Sequence, residues 1–363
     1  MRRATLAIGL ALAMAVPTAA PAQKGGGGKG KEKAPEPGQF VEARHGDVPE
    51  GTAEMVTPAT ERAVDRGLVW LAKQQNADGS FGNSGYHVAV TSLSGLAMMA
   101  SGSSPGRGPY GANIDKALLY VMDNTASSGF ICEGGAGANS PMYGHGFGCL
   151  FLAEAYGMTR RAEIREKLEK AVRLIIDTQN REGGWRYQPV RADADLSVTI
   201  CQINALRAAR NAGIFVPKET VQNCIKYVKQ SQNGDGGFRY MLMQGGGSGF
   251  PRSAAGVVAL YSAGEYDSNE ITKGIRYLKS HLPAKQFGSR DPHYFYGHYY
   301  AAQAMWIRGG DDWSQWYPAI RDELLQRQSG QGFWPDGFGN EYGTAMALII
   351  LQMPNNCLPI FQR

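Results

Sequence analysis

The sequence is short of cysteine, of charge imbalance and of long apolar runs, and each shortage excludes something. Five cysteines in 363 residues (Cys132, Cys149, Cys201, Cys224 and Cys357) are too few for a disulfide-built scaffold. Their odd number leaves at least one thiol free or paired outside the chain. Cys149 and Cys201 sit in apolar helical runs, where a thiol reads as a small buried hydrophobe. Charged residues make up 19% of the chain and the net charge is only +5, with no basic stripe, so no nucleic-acid partner is expected. The apolar run from Leu6 to Val16 has eleven residues, too few to span a bilayer, and no later run is long enough, so no transmembrane segment is expected either. What is plentiful is core material. A chain that is 43% hydrophobic can bury a large interior, which excludes wholesale disorder.

Arg2 and Arg3 precede the Leu6–Val16 run, and Ala20-Pro21-Ala22 follows it as a small-residue cleavage site. These are the three parts of a secretory signal peptide, which predicts export over residues 1–22, to a periplasm or beyond. No cysteine stands at the cleavage site to carry a lipid. Without Arg2 and Arg3 the chain holds 35 basic against 32 acidic residues, so export leaves it nearly neutral. Residues 23–58, rich in Gly, Lys, Glu and Pro, lack an apolar period and read as a flexible linker. Residues 59–363 read as one folded domain.

That domain is built on a repeat. Gln75-Asn-Ala-Asp-Gly79-Ser-Phe81 has the form Q-x-x-x-G-x-aromatic, and so do Gln179 to Trp185, Gln232 to Phe238 and Gln328 to Trp334. The spacings between successive glutamines are 104, 53 and 96, near two, one and two units. Two eroded copies are therefore expected near positions 126 and 282, at Ser128-Gly129-Phe130 and Gln286-Phe287-Gly288. That makes six units.

Each unit has an amphipathic helix before its motif and a nearly apolar helix after it. Ile164, Leu168, Val172 and Ile175 recur at helical spacing with Arg165, Glu166, Lys167, Glu169 and Lys170 between them, whereas residues 88–100 and 344–353 carry no charge. A helix apolar on most sides must be buried on most sides. The alternation predicts an all-α fold, an (α/α)6 toroid of six helical hairpins with apolar helices inside and a central cavity. An open solenoid is the alternative, and the lack of capping repeats favours closure.

The four motif copies resemble the repeat of the squalene cyclases and protein prenyltransferase β subunits, over roughly residues 60–353. In that family the glutamine and the ring tie one helix to the next, so the motif itself implies a fold and no chemistry. The resemblance also implies where chemistry would sit. Class II terpene cyclases carry D-x-D-D at the start of an inner helix. Asp193 and Asp195 match its first two acidic positions, which places Asp195 on the proton donor, but Leu196 replaces the last Asp. The simpler reading of Asp195 is the N-cap of a helix running through Ser197 and Thr199. Arg290-Asp291-Pro-His293-Tyr294-Phe295-Tyr296-Gly-His298 resembles the prenyltransferase segment that supplies a zinc-ligating His, here His298. The partner Asp-x-Cys is missing, because Gly249-Phe250-Pro251-Arg252 stands in its place.

Tyr143-Gly-His145 echoes Tyr296-Gly-His298. His145 and Cys149 lie four apart on one helix face, which suits metal ligation, while tyrosine–histidine pairs lining the cavity are the simpler reading. No cofactor is expected. Gly245-Gly246-Gly247-Ser248-Gly249 before Arg252 could hold an anion or merely connect two helices. In a closed toroid the starts of the inner helices meet at one mouth. His87, Asp195, Arg252, His293 and Glu341 would share that rim, with His145, Tyr294, Tyr296 and His298 lining the space near it. A polar mouth over an apolar, aromatic lumen suits a hydrophobic small molecule such as an isoprenoid, either transformed or only carried. A carbohydrate-active toroid is a third reading, and it requires paired carboxylates, or a Tyr/His/Arg set, in an open polar groove.

Overall fold

The computed structural model describes residues 48–82, 85–134, 140–283 and 293–362. Six helices precede the motif turns: α1 (Pro58–Lys73), α3 (Gly111–Asp123), α5 (Ala162–Thr178), α7 (Lys218–Gln230), α9 (Asn269–Lys279) and α11 (Gly310–Arg327). Six follow them: α2 (His87–Ala100), α4 (Pro141–Thr159), α6 (Leu196–Asn211), α8 (Phe250–Ser262), α10 (Tyr294–Arg308) and α12 (Asn340–Leu351). The described residues form no β-strand, only isolated bridges such as Thr125–Ile131 and Gln232–Phe238 across the turns.

The odd-numbered helices are the outer ring. In α5 the buried stripe is Ile164, Leu168, Ala171, Val172 and Ile175. The solvent face carries the pairs Arg165–Glu169 and Lys170–Glu166, each at 2.8 Å and each worth a few tenths of a kcal/mol. The stripe does more, at about 1.5–3 kcal/mol per buried Leu or Ile. The even-numbered helices are the inner ring. From Val88 to Ala100 every residue of α2 is buried, as expected of a helix enclosed on all sides. Each inner helix packs on the next, α2 on α4, then α6, α8, α10 and α12, and α12 returns to α2. The ring is closed.

The motif explains the closure. The amide Nε2 of Gln179 donates to Gly183 O at 2.9 Å, inside its own turn, and to Thr220 O at 2.9 Å, near the start of the next outer helix. Gln75 reaches Asn113 O and Gln232 reaches Glu270 O in the same way. Gln328, in the last unit, reaches back to Ala63 O of α1 at 2.8 Å. The glutamine therefore serves helix carbonyls rather than orphan amides. The motif glycine is forced by geometry: Gly183 has φ +102°, and a Cβ there would lie 2.1 Å from Asn223 O. The same close approach at Gly129, against Lys170 O, puts the eroded second copy on Thr125, Gly129 and Ile131, one residue out of register from the expected Ser128-Gly129-Phe130. The copy expected at Gln286-Phe287-Gly288 lies outside the described residues, as do Arg290 and Asp291.

Two ends of the chain finish the toroid. Residues 48–57, read above as linker, are built onto it: Thr52 is buried, Arg321 donates to Met55 O, and Thr57 closes a capping box with Thr60 at the start of α1. At the far end the C-terminal segment lies across the inner helices. Trp306 Nε1 donates to Phe361 O at 3.0 Å, and the Arg207 guanidinium donates to Gln362 O at 2.5 Å. No helix among the described residues is long and apolar enough to cross a membrane.

Candidate functional site: a tyrosine-walled central cavity

Five of the inner helices carry a side chain that ties the helix to the motif turn before it. The backbone N–H of Phe81 donates to Thr91 Oγ1, that of Trp185 to Thr199 Oγ1, that of Phe238 to Ser253 Oγ and that of Trp334 to Thr344 Oγ1, at 2.8–3.1 Å. In the second unit a histidine does this work: Ile131 N–H donates to His145 Nδ1 at 3.1 Å. His298 occupies the corresponding place in the fifth unit. The residue two before this tie is Ala89, Tyr143, Ser197, Pro251, Tyr296 or Tyr342, and all six line one central cavity. One helical position, repeated six times, builds the wall.

The cavity has a volume of about 660 Å³, within the range of small-molecule sites. One turn below the ring of six, Leu93 and Phe147 continue the lining. Tyr86, Tyr187, Tyr240, Arg252, His293 and Phe338 join it from the motif turns and helix starts. Deeper in, α10 fills the lumen: Tyr296 Oη donates to Ser197 O of α6 at 2.9 Å, Tyr300 Oη lies 3.5 Å from Cys201 Sγ, and the Tyr299 ring packs edge-on to Phe147 of α4 at 6.4 Å. These contacts join helices that are not neighbours in the ring, so they form a floor.

Of the residues singled out in the sequence, Arg252, His293 and Tyr296 line this space. Arg252 is held by two carbonyls, Nε donating to Phe238 O at 3.0 Å and Nη2 to Gly247 O at 2.8 Å. His293 stacks on Phe338 at 6.2 Å. His87 and Glu341 stand in the first turns of α2 and α12 but are not part of the lining. His87 lies 3.9 Å from Glu133 instead. Tyr294 is buried between α10 and α11, with the Arg327 guanidinium 4.0 Å over its ring.

The two histidines are not placed as cavity or metal residues. His145 is fully buried and uses both nitrogens on backbone: Nδ1 accepts from Ile131 and Nε2–H faces Ala171 O at 3.3 Å. Burial drives its pKa down to about 4. His298 sits among Phe250, Tyr294 and Trp316, and burial drives it to about 3. Burial pushes the Cys149 and Cys201 thiols up to about 12, the range of inert packing thiols. Among the described residues no three His, Cys, Asp or Glu side chains gather as a metal would need.

Asp195 is the N-cap of α6. Its Oδ1 accepts from Val198 N–H at 2.9 Å, and the carboxyl is fully buried behind the cavity wall. Its Oδ2 has no hydrogen-bond partner; Arg186 Nε stands 3.7 Å away. Burial pushes the carboxyl up to about 6, partly offset by the Val198 amide and the Arg186 charge. Asp193 is half exposed and pairs with Arg186. Sequence reasoning missed Tyr187 and Tyr240. Each lies two residues after a motif aromatic, Trp185 or Phe238, and that register was available in the repeat. Their carbonyls also accept the first amides of neighbouring inner helices, Met142 N to Tyr187 O and Leu196 N to Tyr240 O.

Comparison with known proteins bears on the fold. The profile of the squalene-hopene cyclase C-terminal domain matches residues 151–318. No curated protein matches the sequence. Among solved structures, the type II terpene cyclase MstE from Scytonema, in complex with merosterolic acid A, superposes with a TM-score of 0.58 at 14% identity, covering 82% of this chain and 98% of that one. An α-1,6-mannanase of Salegentibacter sp. HEL1_6 superposes with a TM-score of 0.61 at 8% identity, covering 82% and 99%. An α-amylase from Clostridium perfringens does so at 0.55 and 12% identity, covering 80% and 97%. At such identities the likeness speaks for the toroid alone.

Proposed function

We propose that this chain, a member of the squalene cyclase/prenyltransferase-like superfamily, takes an isoprenoid-like hydrophobe into its central cavity and holds it there without cyclising it. The observation that carries the reading is the composition of the wall. Ala89, Val90, Leu93, Phe147 and Phe338 provide apolar surface, and six tyrosines (Tyr86, Tyr143, Tyr187, Tyr240, Tyr296 and Tyr342) provide ring faces with few polar atoms. Burying an apolar chain against such a surface stabilises the complex by about 25 cal/mol per Å² removed from water, before the cost of immobilising the ligand. Arg252 and His293 add polar groups to the lining.

Two features favour holding over reacting. Proton-initiated cyclisation needs an acid at the cavity surface, and the residue in the family's acid position, Asp195, is fully buried with Oδ1 committed to a helix cap. The third carboxyl of D-x-D-D is Leu196, itself buried. Glycoside hydrolysis, the activity in the names of two structural neighbours, needs a pair of carboxyls flanking the substrate. The lining among the described residues has Arg252 and His293 but no Asp or Glu. The signal-like segment over residues 1–22 adds export to the proposal, and a carrier working outside the cytoplasm is consistent with it.

The test is retention with product analysis. Purified protein and Asp195→Asn are incubated with squalene and with geranylgeranyl diphosphate, separated from free lipid and extracted for gas chromatography and mass spectrometry. Intact squalene or intact geranylgeranyl diphosphate recovered with both proteins is the expected result. A new hydrocarbon made by the wild type and lost in Asp195→Asn would replace this reading with a cyclase. Recovery of neither compound with the protein would remove the isoprenoid reading altogether.

A further inference from the structure

At one place in the cavity wall two turns of the toroid bring three polar side chains together. Tyr187, on the turn between α5 and α6, and Tyr240, on the turn between α7 and α8, both line the cavity, and their hydroxyls are hydrogen-bonded to each other. Behind them lies Asp195. Its Oδ1 is used by the helix cap, its Oδ2 is a fully buried acceptor with no hydrogen-bond partner, and the Tyr240 hydroxyl faces its carboxyl. A buried carboxyl oxygen without a hydrogen-bond partner is costly and calls for an explanation.

We propose that the Tyr187–Tyr240 pair is the polar anchor of the cavity, for a hydrophobe bearing one uncharged oxygen, and that Asp195 sets the direction in which their hydroxyl protons point. The inference rests on the hydrophobe-binding reading and names the ligand class more closely. A hydroxyl both donates and accepts, so a row of two has two senses. With Asp195 ionised, the Tyr240 hydroxyl turns to donate to the carboxylate, Tyr187 donates to Tyr240, and Tyr187 offers a lone pair to the cavity. With Asp195 protonated, the carboxyl donates to Tyr240, Tyr240 to Tyr187, and Tyr187 offers its proton to the cavity. An acceptor such as a ketone or ether oxygen fits the second state. An alcohol fits both, because it can turn.

Six groups face Asp195 and set its ionisation. Arg186 favours the charged form; Tyr240, Tyr143, Tyr227, Tyr296 and Cys201 are neutral at ordinary pH and make its surroundings apolar. Burial dominates and brings the carboxyl to about 6, so both senses are populated within the neutral range. Asp193 draws Arg186 toward the solvent side and weakens its hold on Asp195.

The experiment measures the affinity of farnesylacetone, whose ketone only accepts, relative to a hydrocarbon of the same chain length, from pH 5 to pH 8. The ratio within each protein is the readout. In the wild type the ketone is expected to be favoured about fivefold at pH 5, the value of one hydrogen bond, with the preference vanishing by pH 8 around a midpoint near 6. Asp195→Asn keeps the cap through its carbonyl oxygen and offers a permanent N–H to Tyr240, so its preference should persist at pH 8. Tyr187→Phe should show a ratio near one at every pH. A wild-type ratio independent of pH, or an Asp195→Asn ratio that still falls, overturns the proposal.

A second readout needs no ligand: the tyrosine Fermi doublet in ultraviolet resonance Raman spectra, which reports whether a hydroxyl donates or accepts. It should change with a midpoint near 6 in the wild type and stay constant in Asp195→Asn and Tyr240→Phe. If no probe binds, the hydrophobe reading fails. The direction switch then stands or falls on this spectrum, and a doublet constant in the wild type overturns it.

Discussion

Tyr296 of α10 reaches across the lumen and donates its hydroxyl hydrogen to the carbonyl of Ser197 on α6, two places round the inner ring, at 2.9 Å. The bond sets the depth of the cavity. Above it lies the open space; below it Tyr299 and Tyr300 fill the axis, fully buried. Removing only the hydroxyl, in Tyr296→Phe, should cost about 1 kcal/mol, read as a lowered urea midpoint with an unchanged slope. Tyr296→Ala removes the ring as well and should cost about 3–5 kcal/mol through the void it leaves. A Phe variant as damaging as the Ala variant would mean that the hydroxyl, not the ring, holds the floor.

Ring closure rests on Gln328, whose Nε2 bonds both Gly332 O in its own turn and Ala63 O of α1 at 2.8 Å. Gln328→Ala should lower stability by about 1–3 kcal/mol. It should also speed amide hydrogen exchange in α1 selectively, since α1 and α12 meet at the seam. Exchange that accelerates evenly round the toroid would show that the seam has no special dependence on this side chain.

Glu154 of α4 is buried, and burial pushes its carboxyl up to about 8 despite the Ile360 amide and the Arg207 charge that favour ionisation. Between pH 6.5 and pH 8 the folded chain still holds this proton while the unfolded chain has released it. The folded state thus binds more protons, and stability falls as pH rises through the window. Glu154→Gln, which keeps an acceptor for Ile360, should flatten the decline measured by thermal unfolding. A wild-type melting temperature constant from pH 6.5 to 8 would contradict the assignment.

His145 gives the opposite limb. Its folded pKa is near 4, below the ordinary value of 6.5, so between pH 6.5 and pH 4 the unfolded chain takes up a proton that the folded chain refuses. Stability falls as the solution is acidified. His145→Thr supplies the hydroxyl used at this position in the first, third and sixth units and removes the titrating group. The variant is expected to lose some packing at neutral pH, yet to show a shallower loss below pH 6.

The fold was legible because its constraints are local and repeated. A glutamine, a glycine with positive φ and a buried ring recur at fixed spacing in four units, and each has one mechanical reason that recurs with it. The second copy was read one residue out of register because Thr125 and Ile131 replace the glutamine and the ring, leaving only Gly129 to mark it. The site was harder. Tyr143-Gly-His145 and Tyr296-Gly-His298 were rightly seen as equivalent, but the tyrosine faces the cavity while the His145 imidazole turns outward to tie its helix to the motif turn. Spacing says which residues are equivalent; only three-dimensional packing says which way each one points. Tyr187 and Tyr240 went unread because they lie in turns, where no helical period assigns a face.

The most direct test of the account is to fill the cavity. Ala89, in the first turn of α2, is one of the six wall positions. Ala89→Trp would occupy the space from the mouth side while leaving the motif ties of α2 in place. Retention of squalene is measured for the wild type and the variant, with circular dichroism confirming that both are folded. The account predicts that the wild type retains the lipid and the variant does not. Equal retention by a folded Ala89→Trp would place the hydrophobe somewhere other than this cavity.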